Sequence, residues 1–255
     1  MTLAENGLTS ERPASSTLAP DDSFPHTRWT VVLRAGRSDT TRAQAALAEL
    51  CQTYWYPLYA YARRRGCNPQ DAEDATQGFF ARLLRLNSLA YVEREKGRFR
   101  AFLLAAMKHY LADEYHHASA KKRDRALTIS LDAQAAEERY RFEPVDTVTP
   151  EQLFERRWAL TLLETVMQRL RTEYEDSGRA ALFAALRFAI TGDKNAVPYT
   201  TLAAELGMTG EAVRVAVHRL RRRYREVLRE EIGHTVADES EIADELNSLR
   251  RILST

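Results

Sequence analysis

The stretch GEAVRVAVHRLRRRYREVLR, Gly210 to Arg229, carries seven arginines and one glutamate from Arg214 onward, in a chain of formal net charge +1. Val213, Val217, Leu220, Tyr224 and Leu228 recur at spacings of four, three, four and four, which makes one apolar stripe on a helix. The opposite side holds Glu211, Val215, His218 and Arg222, flanked by Arg214, Arg219, Arg221 and Arg225. Upstream, YTTLAAELGMT predicts a short helix from Tyr199 to Leu206, a turn at Gly207 and an N-cap at Thr209, so the whole reads as a helix-turn-helix. An arginine-rich helix alone is most often a solvated face. With the preceding helix, turn and cap, it points to DNA. The first turns of such a second helix enter the major groove, and later arginines lie where phosphates run. The guanidinium fork suits both phosphate and guanine.

Beyond that stretch, 255 residues with 44% hydrophobic and 29% charged residues describe a soluble protein long enough for two compact domains. No apolar run approaches the roughly eighteen residues of a membrane span, and MTLAENGLTSERPASSTLAPDD lacks a hydrophobic signal core, so a cytoplasmic protein without membrane insertion is expected. Cys51 and Cys67 form no CxxC and have no histidine spacing for zinc; they read as buried thiols, and no metal or cofactor is expected. The near-zero net charge conceals segregation. Acid collects at 71–74, 137–146 and 237–245, and base at 94–125 and 214–229, which suggests more than one partner.

The expected fold is all-α: two helical domains joined by a flexible linker. Residues 1–25 read as a flexible leader. Residues 26–125 form the first domain, with one helix from Ala43 that ends or kinks at Pro57 and stops by Gly66, a second from Pro69 to Leu86 and a third from Arg98 to Tyr115. Residues 126–149 read as an acidic linker that includes one helical turn. The second domain spans 150–232. It opens on a capping box of Thr149 and Gln152 with Pro150 at the first helical position, and includes RAALFAALRFAI, which ends before Gly192. In the tail, 233–255, Ile242, Leu246, Leu249 and Leu253 recur at helical spacing. This amphipathic helix either pads the second domain or lays its acidic face over a basic DNA-binding surface and restrains it.

A second motif is NPQDAEDATQGFFARLLRL. Asn68 caps, Pro69 starts the helix, and Asp71 complements the positive end. Ala72, Ala75, Phe79 and Leu83 make the packing stripe, while Asp74, Gln77, Gly78, Ala81 and Arg85 face away. A mid-helix glycine costs about 1 kcal/mol against alanine, so Gly78 calls for a reason. Close approach of another protein's helix is one. The plain alternative is an acidic first turn on a surface helix.

DAEDATQGFFARLL, followed by GRFRAFLLAAMKHYLADEYHH, a linker and VRVAVHRLRRRYRE, resembles a bacterial RNA polymerase sigma factor of the small, two-domain extracytoplasmic-function type, over about 43–229. The resemblance implies core RNA polymerase (its beta-prime and beta subunits) and promoter DNA as partners, and an anti-sigma protein as a candidate regulator. Segment 71–77 would dock on the beta-prime coiled coil, with Asp71, Glu73, Asp74 and Gln77 at the contact; the family usually has glutamate where Gly78 stands. The third helix would engage the minus-ten element through Arg98, Arg100, Lys108 and His109. Phe99, Phe102, Leu103, Ala106 and Tyr110 share one face of it and read as core. NSLAYVEREKG, 87–97, would capture a flipped base in a pocket. The helix-turn-helix would read the minus-thirty-five element with Thr209, Glu211, Arg214, Val215, His218, Arg219 and Arg222, although relatives more often carry Glu-Gly in place of Gly210-Glu211. The linker would thread through the polymerase.

Two rival readings belong to other classes. A stand-alone helix-turn-helix regulator would dimerise, bind two-fold operators and need no polymerase. An enzyme acting on nucleic acid would need an active site, and neither His116-His117 nor Asp113-Glu114 has metal-ligand spacing or a nucleophile partner. No catalytic residue is assigned, and the expected role is binding.

Overall fold

Tyr54, Trp55, Leu58, Tyr59, Tyr61 and Ala62 are all buried along one helix, α1 (Thr41–Arg64), which runs through Pro57 instead of ending there. An interior proline costs about 3 kcal/mol, and each large apolar side chain withdrawn from water returns about 1.5–3 kcal/mol. The packing around Pro57 therefore outweighs the lost hydrogen bond. The computed structural model describes residues 41–85, 98–117, 133–143, 148–191, 198–236 and 238–254. The leader at 1–25, the base-capture segment at 87–97 and linker residues 126–132 and 144–147 lie outside the described residues. Among those described, the secondary structure is α-helix and one 3-10 turn with no strand, an all-α fold.

Helix α2 (Pro69–Arg85) starts where Asn68 accepts the Asp71 amide at 2.9 Å, and buries Ala72, Phe79, Phe80 and Leu83. Helix α3 (Phe99–His117) contributes Phe99, Leu103, Met107 and Leu111 to the same core, with Phe102, Ala106 and Tyr110 half-buried beside them. Phe99 meets Tyr54 edge-on at 5.1 Å.

Within the stretch read as a linker, α4 (Ala133–Arg141) is a nine-residue helix docked on α1. Its acids are what hold it. Glu137 accepts from the Tyr59 hydroxyl at 2.6 Å and from the Arg63 fork at 2.9 and 3.0 Å. Glu143, just beyond, accepts from Tyr56 at 2.8 Å and pairs with Arg157. The bond from Arg63 holds the Glu137 carboxyl below the usual carboxylate range despite partial burial.

Helix α5 (Pro150–Asp176) begins with the capping box: the Thr149 hydroxyl accepts the Gln152 amide, and the Gln152 side chain returns to the Thr149 amide. Its 27 residues span about 40 Å at 1.5 Å each. Leu153, Phe154, Trp158, Ala159 and Leu162 pack with α1–α3 in one core, whereas Val166, Leu170 and Tyr174 pack in a second. That second core holds Phe183 and Leu186 of α6 (Ala180–Leu186), Leu202 and Ala203 of α8 (Tyr199–Glu205), and Val213, Val217, Leu220 and Val227 of α9 (Gly210–Gly233). RAALFAALRFAI is interrupted at Arg187, where α6 gives way to the short α7 (Phe188–Thr191).

At the end of α9 the chain returns to the first core. Ile232 and Val236 join it, followed by Ile242 and Leu249 of α10 (Ile242–Ser254), which is preceded by a 3-10 turn at Glu239–Glu241. The tail thus packs on α5 and α9 and reaches the first core as well.

Trp158, fully buried, donates its indole N–H to the Tyr54 hydroxyl at 3.0 Å. Urea denaturation of Trp158→Ala should show a loss of about 3–5 kcal/mol. Tyr54→Phe, which removes one buried bond and little volume, should lose about 1–2 kcal/mol.

Candidate nucleic-acid and polymerase interfaces

The angle between α8 and α9 is fixed by backbone chemistry. Gly207 adopts φ 62°, the left-handed region that favours glycine. The Met208 amide donates to the Ala203 carbonyl at 2.8 Å and the Gly207 amide to Ala204 at 3.4 Å, the paired bonds of a Schellman turn. Thr209 then takes an extended conformation, and its hydroxyl accepts the Ala212 amide at 3.1 Å, starting α9 two residues after α8's turn.

On α9, Thr209, Glu211, Arg214, Val215, His218, Arg219 and Arg222 are all exposed, away from the buried Val213, Val217 and Leu220. Val215 is 40% exposed, a large apolar side chain among polar ones. Arg214 pairs with Glu211 at 2.8 Å and Arg222 with Glu226 at 2.9 Å, both on the solvent side. Exposed pairs of this kind hold weakly and are readily exchanged for phosphate. Two other arginines in the run serve the fold. Arg223 donates its fork to Glu173 at 2.8 and 2.9 Å and reaches Glu230 at 3.1 Å, pinning α9 to α5. Arg221 donates to the Ala189 carbonyl at 3.0 Å.

On α2, Asp71 and Asp74 are exposed, and Glu73 and Gln77 are half-buried. Asp71, Asp74 and Gln77 fall three residues apart, and the Gln77 amide donates to Glu73 at 2.9 Å, so the four lie together over two turns. Asn68 restrains Asp71 at 2.7 Å. Gly78 has its reason inside the protein: a Cβ there would overlap the Tyr110 hydroxyl of α3. The expectation that another protein's helix approaches Gly78 is corrected accordingly, since α3 already occupies that space. Tyr110 is wedged against Phe79 at 5.8 Å, with the Arg82 guanidinium 5.8 Å from its ring.

On α3 the four basic residues divide. His109 is exposed. Lys108 pairs with Glu151 at 2.8 Å and holds that carboxyl below its ordinary value. Arg98 turns to the tail, with Nε 2.7 Å from Glu245 and Nη1 donating to Ser248 at 2.7 Å. Arg100 is 4% exposed; it donates to both Glu245 oxygens at 2.7 and 3.1 Å and to Glu155 at 2.6 Å, with its guanidinium 4.6 Å from the Trp158 ring. Desolvation pulls Arg100 down, but the bonds to Glu245 and the fields of Glu245 and Glu155 outweigh it, leaving the guanidinium more firmly charged than usual. Reading the sequence one helix at a time missed Glu245, Glu155 and Ser248 as partners. One signal was available: Glu245 falls between Ile242 and Leu249 on the apolar side of its helix, where a carboxylate needs a cation.

Among the described residues, no group of three or more His, Cys, Asp or Glu is placed to hold a metal ion, and no helix is long and apolar enough to cross a membrane.

The Gly78–Tyr110 contact gives a direct check. Gly78→Ala should destabilise the wild-type chain, yet stabilise a Tyr110→Phe background by up to about 1 kcal/mol, the ordinary helix preference for alanine. Thermal or urea denaturation of the four proteins measures that coupling.

Neither a curated protein nor a solved structure matches the chain. A scan against family models does find a match, to sigma-70 region 2 over residues 50–121, the segment that holds most of α1, all of α2 and α3, and the Asp71–Gln77 face. Over those residues the chain is similar to sigma-70 region 2, the segment by which the sigma-70 family of sigma factors is recognised.

Proposed function

We propose that the protein is an alternative sigma factor of the two-domain extracytoplasmic-function type, which joins core RNA polymerase and directs it to specific promoters. The observation that carries this reading is the coexistence, in one chain, of a segment matching sigma-70 region 2, with Asp71 and Asp74 exposed and Gln77 half-buried beside them, and a capped helix-turn-helix that keeps seven candidate contact residues in solvent. The first face docks on the beta-prime coiled coil. Helix α3 engages the minus-ten element, and α9 enters the major groove of the minus-thirty-five element by its first turns.

Mechanistically the protein binds and the polymerase does the chemistry. Arg214, near the start of α9, is placed for a base edge, where a good bidentate contact discriminates by about 1–3 kcal/mol. Arg222, two turns on, is placed for phosphate, which adds affinity without sequence choice. Val215 offers an apolar surface to a thymine methyl. The protein works in the cytoplasm, where the polymerase is.

The test is in vitro transcription with sigma-free core polymerase on a genomic promoter library. Discrete start sites that require both core and this protein are expected. Asp74→Ala/Gln77→Ala should lose core binding while leaving the helix-turn-helix folded. Sequence-specific operator binding by the protein alone, with no core-dependent initiation, would instead identify a stand-alone regulator.

The two arginines should separate in a salt titration of holoenzyme binding to promoter DNA. Arg222→Ala should weaken all promoters alike and reduce the log–log salt slope by about 0.9. Arg214→Ala should cost about 1–3 kcal/mol and relax preference at one base pair.

A further inference from the structure

We propose that the free protein is held in a self-inhibited state by its own tail, with α10 acting as an internal substitute for promoter phosphate at Arg98 and Arg100; this inference rests on the sigma-factor reading above. Four observations support it. The first is chemical: the Glu245 carboxylate takes Nε of Arg98 and a two-point grip from Arg100, the geometry a phosphate would receive from the same forks. The second is burial, for Glu245 is 1% and Arg100 4% exposed at the side chain, so nucleic acid cannot reach this pair while α10 is seated.

The third is the way the seat is built. Ile242 and Leu249 of α10 are buried in the first core, Ser248 holds Arg98, and the Thr235 carbonyl accepts the Phe99 amide at 3.3 Å, capping the first turn of α3 from the segment that leads into the tail. The carboxyl-terminal end of the chain therefore clamps both the backbone start and the basic side chains of α3. Arg169 adds to the closure by joining α5 to Glu230 and Glu231 at the end of α9, next to this segment.

The fourth is distance. Elements named minus-ten and minus-thirty-five lie about 25 base pairs apart, roughly 85 Å at 3.4 Å per pair. In the structure, α3 and α9 are both packed along α5, whose 27 residues span only about 40 Å. One molecule in this conformation cannot bridge both elements, so the first core and the helix-turn-helix must separate. The closure is reversible because a buried ion pair roughly breaks even against its desolvation. Polymerase docking and promoter phosphate can compete for arginines that Glu245 holds.

The experiment compares the full-length chain, Glu245→Gln, and a chain ending at residue 237. Glu245→Gln keeps the shape and the apolar seat of α10, so it carries the test even if the shortened chain folds poorly. Two readouts are taken: amide hydrogen exchange of residues 99–111 in the free proteins, and core-dependent transcription at sub-saturating core polymerase. The expected result is faster exchange in α3 of Glu245→Gln together with a rise in transcription on the order of tenfold, the factor lost when only about a tenth of the protein is competent to bind. Folded Glu245→Gln that transcribes at or below the full-length level overturns the inference while leaving the sigma-factor reading intact. Absence of core-dependent transcripts from all three proteins overturns that reading and this inference with it, whatever the exchange shows.

Discussion

A single helix, α5, is shared between two hydrophobic cores, and the placement of the two cores beside each other depends on that sharing. Its first half buries Leu153, Phe154 and Trp158 against α1, and its second half buries Val166, Leu170 and Tyr174 against α9. The capping box at Thr149 fixes where the helix begins, and hence which residues face which core. Because Trp158 lies at the centre of the first core, its ring is in place for the Arg100 guanidinium. That guanidinium in turn holds Glu245 and seats the tail. Packing, cation placement and closure are successive consequences of one amphipathic pattern that turns along 27 residues.

Charge follows the same logic. The chain is nearly neutral overall but sharply segregated, and much of that segregation is satisfied within the molecule. Acids after residue 130 meet bases on other helices: Glu137 with Arg63, Glu143 with Arg157, Glu173 with Arg223, and Glu245 with Arg98 and Arg100. Among the described residues, two charged groups that face solvent together are the acidic start of α2 and the side of α9 that carries Arg214, His218, Arg219 and Arg222. These are the surfaces on which the proposed contacts with polymerase and with DNA are placed. Arg98 and Arg100 are instead turned inward, each paired with Glu245 of α10.

The local signals in the sequence were sufficient wherever a feature is set by neighbours in the chain. The Thr149 box, the Thr209 cap, the Gly207 turn and the Val213–Val217–Leu220 stripe are all decided within a turn or two of helix, and each was legible. Features decided by distant partners were not. Pro57 reads as a point where the helix ends or kinks, and the helix does not end there because the residues flanking it are buried against other helices. Residues 133–141 lie in a stretch read as an acidic linker, and their helix is held by Arg63 and Tyr59, more than seventy positions away. Gly78 advertised a close approach, and its partner, Tyr110, is 32 residues downstream in this chain. The tail's apolar stripe was legible, whereas its destination was set by Glu245, a residue that the hydrophobic pattern passes over.

The proposed mechanism requires the segment matching sigma-70 region 2 and the helix-turn-helix, packed together in the free protein, to separate on the polymerase. Resonance energy transfer between dyes at the exposed positions Arg82 and Arg225 tests it most directly, measured on the free protein, with core polymerase, and with core polymerase plus promoter DNA. High transfer is expected in the free protein and a marked loss once core and promoter are bound, as the two proposed recognition surfaces move apart toward the roughly 85 Å that separates their sites. Low transfer in the free protein, or transfer that core polymerase and promoter leave unchanged, would contradict it.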